Sequence, residues 1–351
     1  HAEPLTLERA IELAQANDLR SQEKTHLAAA AAGLVEEAEG AGGWLFDMTT
    51  SLAFTTAVDG GFFDNNCTND CGNSNVRDDL YDVSGFSPFL AIKGLLVKPL
   101  STFGKIENYK DAAQQLHSIK LEDVTIQRAQ TGVDVAKAWY GNLAALSGIA
   151  LLEEANGRLN AAAEMAQELI ENDESDITDA DIYTLKAGQG LIQKFLAQAQ
   201  GLQKTAIAGL TLLTGLEAEN IQPASTRLRP LNMPAQSLEE LQQIALQQRP
   251  EMRQLAAGLK ARQSLVRAKY AENRPNLVAG IAGSAAWSPG RDQIDNPHVY
   301  DPFNHYAASP LLALQWKWQG SRTAGQITQA EAELRALEAK GQLAHAGIPF
   351  Q

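Results

Sequence analysis

Residues 44–58, WLFDMTTSLAFTTAV, alternate between bulky apolar and small or polar side chains over their whole length. The even positions carry the large apolar groups, which are Trp44, Phe46, Met48, Leu52, Phe54 and Val58. A period of two residues predicts a β-strand with one apolar face. That face needs a second apolar layer or a lipid environment, so the rest of the chain decides which of the two is present.

Composition and charge narrow the classes of protein to consider. The chain of 351 residues has a formal net charge of −13 and no concentrated run of Lys and Arg, so a nucleic-acid partner is not expected. We find no run of about 18 apolar residues, and therefore predict no transmembrane helix. A membrane-spanning form would have to be a β-barrel.

Long helices are predicted after the first hairpin. From Gly104 to about Asn172 apolar residues recur at spacings of three and four, which is typical of a helix of roughly 100 Å packed against neighbours. An acidic turn then leads into a return helix. Its predicted contact seam consists of Leu185, Gly188, Ile192, Phe195, Ala199, Leu202, Ala206, Gly209, Leu213 and Leu216.

The second part of the chain repeats the order of the first. SLEELQQIAL from Ser237 echoes TLERAIELAQ from Thr6, and each stretch predicts a capped helix before a hairpin. The first repeat, 1–216, has a helix at 6–40, a β-hairpin at 43–100 with an outer loop at 59–82, and a helical hairpin at 104–216 with its tip at 171–181. A connector at 217–236 follows. The second repeat, 237–351, has a helix at 237–273, a β-hairpin at 276–319 with an outer loop at 288–309, and the start of a helix at 320–351.

The second repeat is predicted to be incomplete, because too few residues follow Gly320 to match the helical hairpin of the first. We therefore expect a fragment, or the ordered part of a longer protein. The N-terminal residues carry no signal segment, which suits a mature chain after signal cleavage or a cytosolic start.

Few residues of the sequence are candidates for a catalytic, metal-binding or disulfide site. The histidines are scattered, and no catalytic or cofactor motif is found, so we predict no enzyme, no cofactor and no metal. His298, Asp301 and His305 could bind a cation, or could lie in a solvated loop. Residues 64–75 are rich in Asp and Asn and could hold calcium, although they lack EF-hand geometry. Cys67 and Cys71 could form a small-loop disulfide or remain free thiols.

Five motifs along the chain resemble the TolC family of outer-membrane efflux channels over essentially its whole length. They are LTLERAIELA, SLEELQQIALQQRPEMRQL, LTGL, AENRPNLVAGIAG and WQGSRTAGQITQAEAEL. The resemblance implies a mainly α fold with β-strands, in which long helical hairpins form a periplasmic α-barrel. Two transmembrane β-hairpins per chain would contribute to a trimeric twelve-stranded outer-membrane barrel.

The resemblance also implies a function and partners. The chain would be the exit duct of a tripartite efflux or type I secretion system, a passive conduit for small molecules or proteins in the outer membrane of a Gram-negative bacterium, with a periplasmic extension. Its partners would be two further copies, a periplasmic adaptor, an inner-membrane transporter and outer-membrane lipid. A structural or adhesive trimer and a soluble helical scaffold are the alternatives.

Side chains are assigned to faces on the same basis. The predicted lipid-facing residues are Trp44, Phe46, Leu52, Phe54, Leu312, Leu314, Trp316 and Trp318. The predicted pore-facing residues are Asp47, Thr49, Ser51, Lys93, Gln315 and Lys317. Trp316 and Trp318 would belong to an aromatic girdle, or else to the core of a soluble sheet.

The predicted periplasmic tip is acidic. Its carboxylates are Glu171, Asp173, Glu174, Asp176, Asp179 and Asp181. They could be helix caps in a solvated turn. Threefold symmetry could instead make them a ring that attracts cations or a basic adaptor.

The resemblance predicts that Cys67 and Cys71 are joined, because an outer-membrane protein passes through the oxidising periplasm. Mass spectrometry of protein from the native envelope should show the mass of the disulfide form. A fully reduced mass would contradict this prediction.

Overall fold

The computed structural model describes residues 4–58, 83–172, 177–223, 225–226, 228, 236–291, 293, 298 and 300–350. It is mainly helical with antiparallel strands, as the sequence predicted. The elements in chain order are α1 (Leu7–Asn17), α2 (Leu19–Gly40), β1 (Leu45–Val58), β2 (Val83–Ser101), α3 (Lys105–Glu171), α4 (Asp179–Thr214), α5 (Leu238–Gln248), α6 (Pro250–Ala271), β3 (Asn276–Trp287), β4 (His305–Gln315) and α7 (Gly320–Gly347). Short 3₁₀ turns lie at Ala218–Asn220 and Ile348–Phe350.

The chain divides into two compact units. The helical unit contains the residues up to 32, 116–258 and those from 339 onward. The sheet unit contains 33–115 and 259–338, which include all four strands and the adjoining ends of α2, α3, α6 and α7.

The core of the helical unit lies where α1 packs between α3 and α4. Its buried residues are Leu5, Ala10, Ala14, Val135, Trp139, Leu143, Leu210 and Ile221. The two alanines allow α1 to approach its neighbours closely, because they present only a methyl group. The Leu5 amide donates to the Gln222 carbonyl at 2.9 Å, which ties the segment before α1 to the segment after α4.

Helix α4 half-buries most of the predicted seam but leaves two of its residues exposed. Gly209 packs on Ala138 and Gly188 on Leu159, so these parts of the predicted seam do face α3. Phe195 and Leu202, however, are 45 % and 66 % exposed. The prediction failed for these two because the covered side of α4 passes one position later in the chain, at Leu196 and Gln203, which are half-buried.

Two predicted helices are each broken at one residue. The segments 6–40 and 237–273 become helix pairs of 11 and 22 residues, α1 and α2 in one case and α5 and α6 in the other. The breaks lie at Asp18 and Arg249, which are both extended. Pro250 explains the second break, since its ring disfavours helical backbone at the preceding residue.

Asp18 stabilises the first break through polar contacts. It is buried, and its Oδ1 accepts a hydrogen bond from the Arg20 amide at 3.0 Å, which caps α2. The Arg20 guanidinium pairs with both Asp18 and Asp134, at 3.0 Å each, and the Thr131 hydroxyl donates to Asp18. Burial by itself would raise the pKa of Asp18, but the hydrogen bonds from Arg20 and Thr131 outweigh it and hold the pKa below its ordinary value.

The sheet has the order β1-β2-β3-β4 and is antiparallel throughout. Its register runs from Leu45↔Val97 at the end where the helices join to Ala57↔Gly85 at the hairpin end. Strands β1 and β4 are the two edges. Hydrogen bonds connect the ends of α3 and α6 in this unit. The Tyr109 hydroxyl and the Lys269 ammonium both donate to the Glu272 carboxylate, at 2.5 and 2.8 Å.

One helix of the described residues, α3, has a stretch long and apolar enough to cross a membrane by length and composition alone. The sequence analysis predicted no such helix. Core helices of soluble bundles have stretches of the same length and composition. The middle of α3 contributes Val135, Trp139 and Leu143 to the core of the helical unit.

We predict that Asp18→Ala lowers the free energy of unfolding by about 1–3 kcal/mol, because it removes a cap and a buried hydrogen-bonded partner. Asp134→Ala should lower the free energy of unfolding by only about 0–1 kcal/mol, because the ion pair between Arg20 and Asp134 is accessible to solvent. Thermal unfolding in detergent measures both.

The contribution of Asp18 should depend on pH in one direction. A depressed pKa means that the carboxylate stabilises the fold fully above its ordinary value of 3.8 and less as pH falls through the lowered folded value. The gap between wild type and Asp18→Ala should therefore narrow below that value. A gap independent of pH would show that the charge of Asp18 is not the cause.

Candidate functional site: the two faces of the sheet

One face of the sheet is apolar and uncovered within the described chain. The register places Phe46 beside Leu96, Leu96 beside Ile281, and Ile281 beside Pro310, so even-numbered residues of β1 share this apolar face with all three other strands. All eight residues predicted to face lipid are 63–81 % exposed. Such a large apolar surface normally marks an interface with protein or membrane.

Strand β4 covers a different range from the predicted one. It begins at His305, inside the predicted outer loop, and Pro310 is tolerated because β4 is an edge strand. It ends at Gln315, so the alternation no longer assigns Trp316, Lys317 and Trp318 to a face. All three are nevertheless exposed, and the Trp316 indole donates to the Asn273 carbonyl at 3.0 Å.

The apolar face is almost free of charge. Among its described positions only Lys98, which pairs with Ala279, is charged. Its ammonium lies 6.0 Å from the centre of the Trp44 ring, at the helix end of the sheet. A lysine beside a tryptophan at the edge of an apolar band is typical of a membrane–water interface, where the ammonium can reach water.

Aromatic residues mark both ends of the apolar face. At the helix end Trp44 directly precedes β1 and Trp316 directly follows β4, whereas Trp287 and Tyr306 lie on the face near the hairpin end. From Leu277 to Trp287 the strand rises about 33 Å, at roughly 3.3 Å per residue. At a tilt of about 40° this corresponds to about 25 Å, the height of the apolar band of an outer-membrane barrel.

The opposite face is concave and more polar. A recess of about 330 Å³ is lined by residues from all four strands, including Asp47, Thr49, Lys93, Ser284 and Ser309. One recess can touch four neighbouring strands on one side only if the sheet curves around it. We call this side the concave face.

The remaining predicted pore residues also relate to the concave face. Ser51 pairs with Ala91 on this face and is exposed, although it does not line the recess. Gln315 pairs with Asn276 at the last position of β4 and is exposed. Lys317 is not assigned to this face, because it lies beyond the end of β4.

Gly280 allows β2 and β3 to approach closely on the concave face. A Cβ atom at this position would lie 2.0 Å from the Leu96 carbonyl oxygen and 2.8 Å from Val97. By contrast, a Cβ atom on Gly283 of the same strand would make only an ordinary contact, 3.7 Å from the Ala307 carbonyl oxygen.

The candidate cation site in the second outer loop is not assembled. Asp301 is buried, and its Oδ1 accepts hydrogen bonds from the Phe303 and Asn304 amides at 2.8 and 3.1 Å. The Nε2 of His305 lies 3.1 Å from the Ser284 hydroxyl. Over the described ranges, no group of three or more His, Cys, Asp and Glu residues is arranged to hold a metal ion. Cys67, Cys71 and the stretch 64–75 lie outside those ranges.

The acidic tip is described only in part. Glu171 is the exposed last residue of α3, whereas Asp173, Glu174 and Asp176 lie outside the described residues. Asp179 and Asp181 are in the first turn of α4. The Asp181 carboxylate accepts from the amide and the hydroxyl of Thr178, at 2.9 and 2.8 Å, and the amide hydrogen bond lowers its pKa. Asp181 therefore has a capping role.

The fold, with its long helices and one four-stranded sheet, is similar to those of several solved outer-membrane proteins. CusC, whose structures show changes accompanying folding and transmembrane channel formation, gives a TM-score of 0.72 at 16 % identity over 99 % of this chain and 75 % of its own. The outer-membrane protein VceC of Vibrio cholerae gives 0.69 at 15 % identity over 97 % and 75 %. The CmeC outer-membrane channel of Campylobacter jejuni gives 0.71 at 13 % identity over 96 % and 67 %.

These similarities establish the fold, and they confirm the resemblance seen in the sequence at the level of the fold. No protein-family model and no curated protein matches the chain.

Sequence analysis missed one feature of the concave face. Residues 288–291 were predicted only as part of an outer loop, yet they contact β1 and β2. The buried serines involved, Ser87 and Ser288, have no sequence signal of their own. The Ser-Pro-Gly-Arg stretch signals a turn but gives no direction to it.

We predict that Gly280→Ala destabilises the sheet by about 1–3 kcal/mol, because the added methyl group must push β2 and β3 apart. Gly283→Ala is the matched control and should have little effect. Thermal unfolding of both variants in detergent checks this, and equal melting temperatures would contradict the close approach at Gly280.

Proposed function

We propose that this chain is a subunit of an exit duct in the outer membrane of a Gram-negative bacterium, through which small molecules or proteins pass from the periplasm to the exterior. The observation that carries the proposal is the sheet with an almost uncharged, aromatic-bordered apolar face and a polar concave face. A soluble sheet would need a covering layer for the first face. A lipid bilayer supplies that cover, and the concave face then lines a water-filled passage.

The free edges support assembly with further copies. Strands β1 and β4 leave the backbone groups of long edge strands without a strand partner in the described chain, a state that proteins avoid and lipid does not tolerate. Because the strand number is even, β4 of one copy can pair antiparallel with β1 of the next. Three copies of the four strands would close a twelve-stranded barrel.

The helices support the same assembly. Helix α3 has 67 residues, roughly 100 Å at 1.5 Å per residue, which is far longer than a globular helix. Phe195, Leu202 and Leu212 of α4 are 45 %, 66 % and 80 % exposed, and helices of neighbouring copies can cover them. We propose that the helices form a tunnel in the periplasm, whose acidic tip contacts an adaptor and an inner-membrane transporter.

A passive role fits the concave face. Its polar groups are hydroxyls together with one carboxylate and one ammonium group, those of Asp47 and Lys93, and they line an open recess that extends over all four strands. Such a surface keeps water in a passage without holding one cargo tightly. The order of α1, α2 and β1, followed later by α5, α6 and β3, supports the internal repeat that we propose for this subunit.

A pair of adjacent substitutions in the middle of β1 tests the proposal. Leu52→Arg places a charge on the apolar face and should impair assembly by up to about 2–4 kcal/mol per chain. Ser51→Arg places the same charge on the concave face and should be tolerated. The measurements are the yield of folded oligomer in outer membranes and channel conductance in planar lipid bilayers.

The outcomes separate the alternatives. Stable, monodisperse behaviour without detergent would favour a soluble helical scaffold and reject the barrel. A membrane-inserted trimer that never conducts would favour a structural or adhesive role. Equal yields for the two arginine variants would overturn the assignment of the faces.

A further inference from the structure

The segment after β3 crosses the concave face instead of leaving the sheet. Gly290 accepts a hydrogen bond from the Val58 amide of β1 at 2.9 Å and donates to the Ser87 hydroxyl of β2 at 2.8 Å. Because the strand order is β1-β2-β3-β4, a segment that leaves β3 and reaches β1 must pass over β2, a distance of about 10 Å.

The side on which it crosses is fixed by the register. Ser87 pairs with Thr55, and Lys93 pairs with Thr49 in the recess. Six residues separate the two pairs along each strand, so their side chains lie on the same face of the sheet. A Cβ atom on Gly290 would lie 2.6 Å from the Ser87 Cβ and 3.1 Å from the Ala57 Cβ, so Gly290 rests on the concave side of these strands. We call residues 288–291 and 301–304 the strap.

The strap is firmly attached. The Ser288 hydroxyl donates to Ser87 at 3.0 Å, and both side chains are at most 3 % exposed. The Asn304 side chain joins the two parts of the strap. Its Oδ1 accepts a hydrogen bond from the Ser288 backbone amide at 2.9 Å, and its Nδ2 donates to the Arg291 carbonyl at 3.0 Å.

Arg291 and Phe303 complete the attachment. The Phe303 ring packs edge-on against Phe89 of β2, with 5.7 Å between centroids. The Arg291 guanidinium lies 3.8 Å above the Phe303 ring and donates to the Thr56 carbonyl and hydroxyl, at 3.2 Å each. A cation stacked on a ring and bonded to backbone keeps little freedom to swing away.

We propose that the strap is a fixed constriction at the outer mouth of the duct, and that it limits passage to small solutes. This inference rests on the proposed function, in which the concave face lines the passage. Ser87 lies about six residues, or roughly 20 Å, beyond Lys93 toward the hairpin end, so the strap is on the side away from the helices. Each copy in a closed barrel would place one strap across the wall of the same mouth.

Two substitutions at the contact point loosen the strap in different ways. Ser87→Ala removes the acceptor for the Gly290 amide and the Ser288 hydroxyl. Gly290→Ala adds a methyl group where the Ser87 Cβ leaves no room. The matched controls are Ser51→Ala, on the same face away from the strap, and Gly283→Ala, where the added methyl group makes only an ordinary contact.

Single-channel conductance in planar lipid bilayers and the exclusion of polyethylene glycols of graded size measure the width of the duct. We expect conductance to rise roughly twofold in Ser87→Ala and Gly290→Ala, with larger glycols admitted, because conductance grows with the open cross-section. The controls should match the wild type. Phe303→Ala provides a third, independent variant that leaves the Ser87 contact untouched.

The possible results separate the two proposals. A wild-type protein that does not conduct would contradict the proposed function. A wild type that conducts, with conductance and glycol cut-off unchanged in the assembled strap variants, would overturn the constriction alone. If one variant does not assemble, the other two decide between these outcomes.

Discussion

The rest of the structure depends on the alternation along β1 and on the register that extends it through the sheet. Large apolar side chains of one parity share a face with apolar residues of β2, β3 and β4. A sheet cannot hide that face by itself, and the described parts of the chain provide no layer over it. The free edges of β1 and β4 add a second unmet requirement, since their backbone groups need partners once lipid excludes water. The proposed barrel, in which copies of the sheet close on one another in a membrane, would meet both requirements.

The long helices carry an equivalent requirement in water. Helix α4 half-buries most of its predicted seam, but Phe195 and Leu202 are exposed, and a solitary chain would have to leave them in contact with solvent. In both units, therefore, the surface left over by intrachain packing is apolar and elongated, as expected for a subunit that completes its core with neighbouring copies.

Polar residues have local tasks within this frame. Asp18 caps α2 and fixes the interruption between α1 and α2, and Pro250 produces the matching interruption between α5 and α6. Ser87 and Ser288 are buried because they hold a segment against the concave face. These residues fix the path of the backbone at a few points, whereas burial of apolar surface stabilises the two units.

The sequence by itself determined the kinds of elements, their order and the parity of the strands, because these follow from local periodicity. The tertiary structure decided what periodicity leaves open. Phe195 and Leu196 are both apolar and adjacent in the sequence, and only the packing of α4 showed that Leu196 is the more covered of the two. Trp316 and Lys317 continue the alternation of apolar and polar residues in the sequence, but β4 ends at Gln315, where its pairing with β3 ends. The path of residues 288–291 was decided only in three dimensions, because a turn signal does not specify the face of the sheet across which the chain will pass.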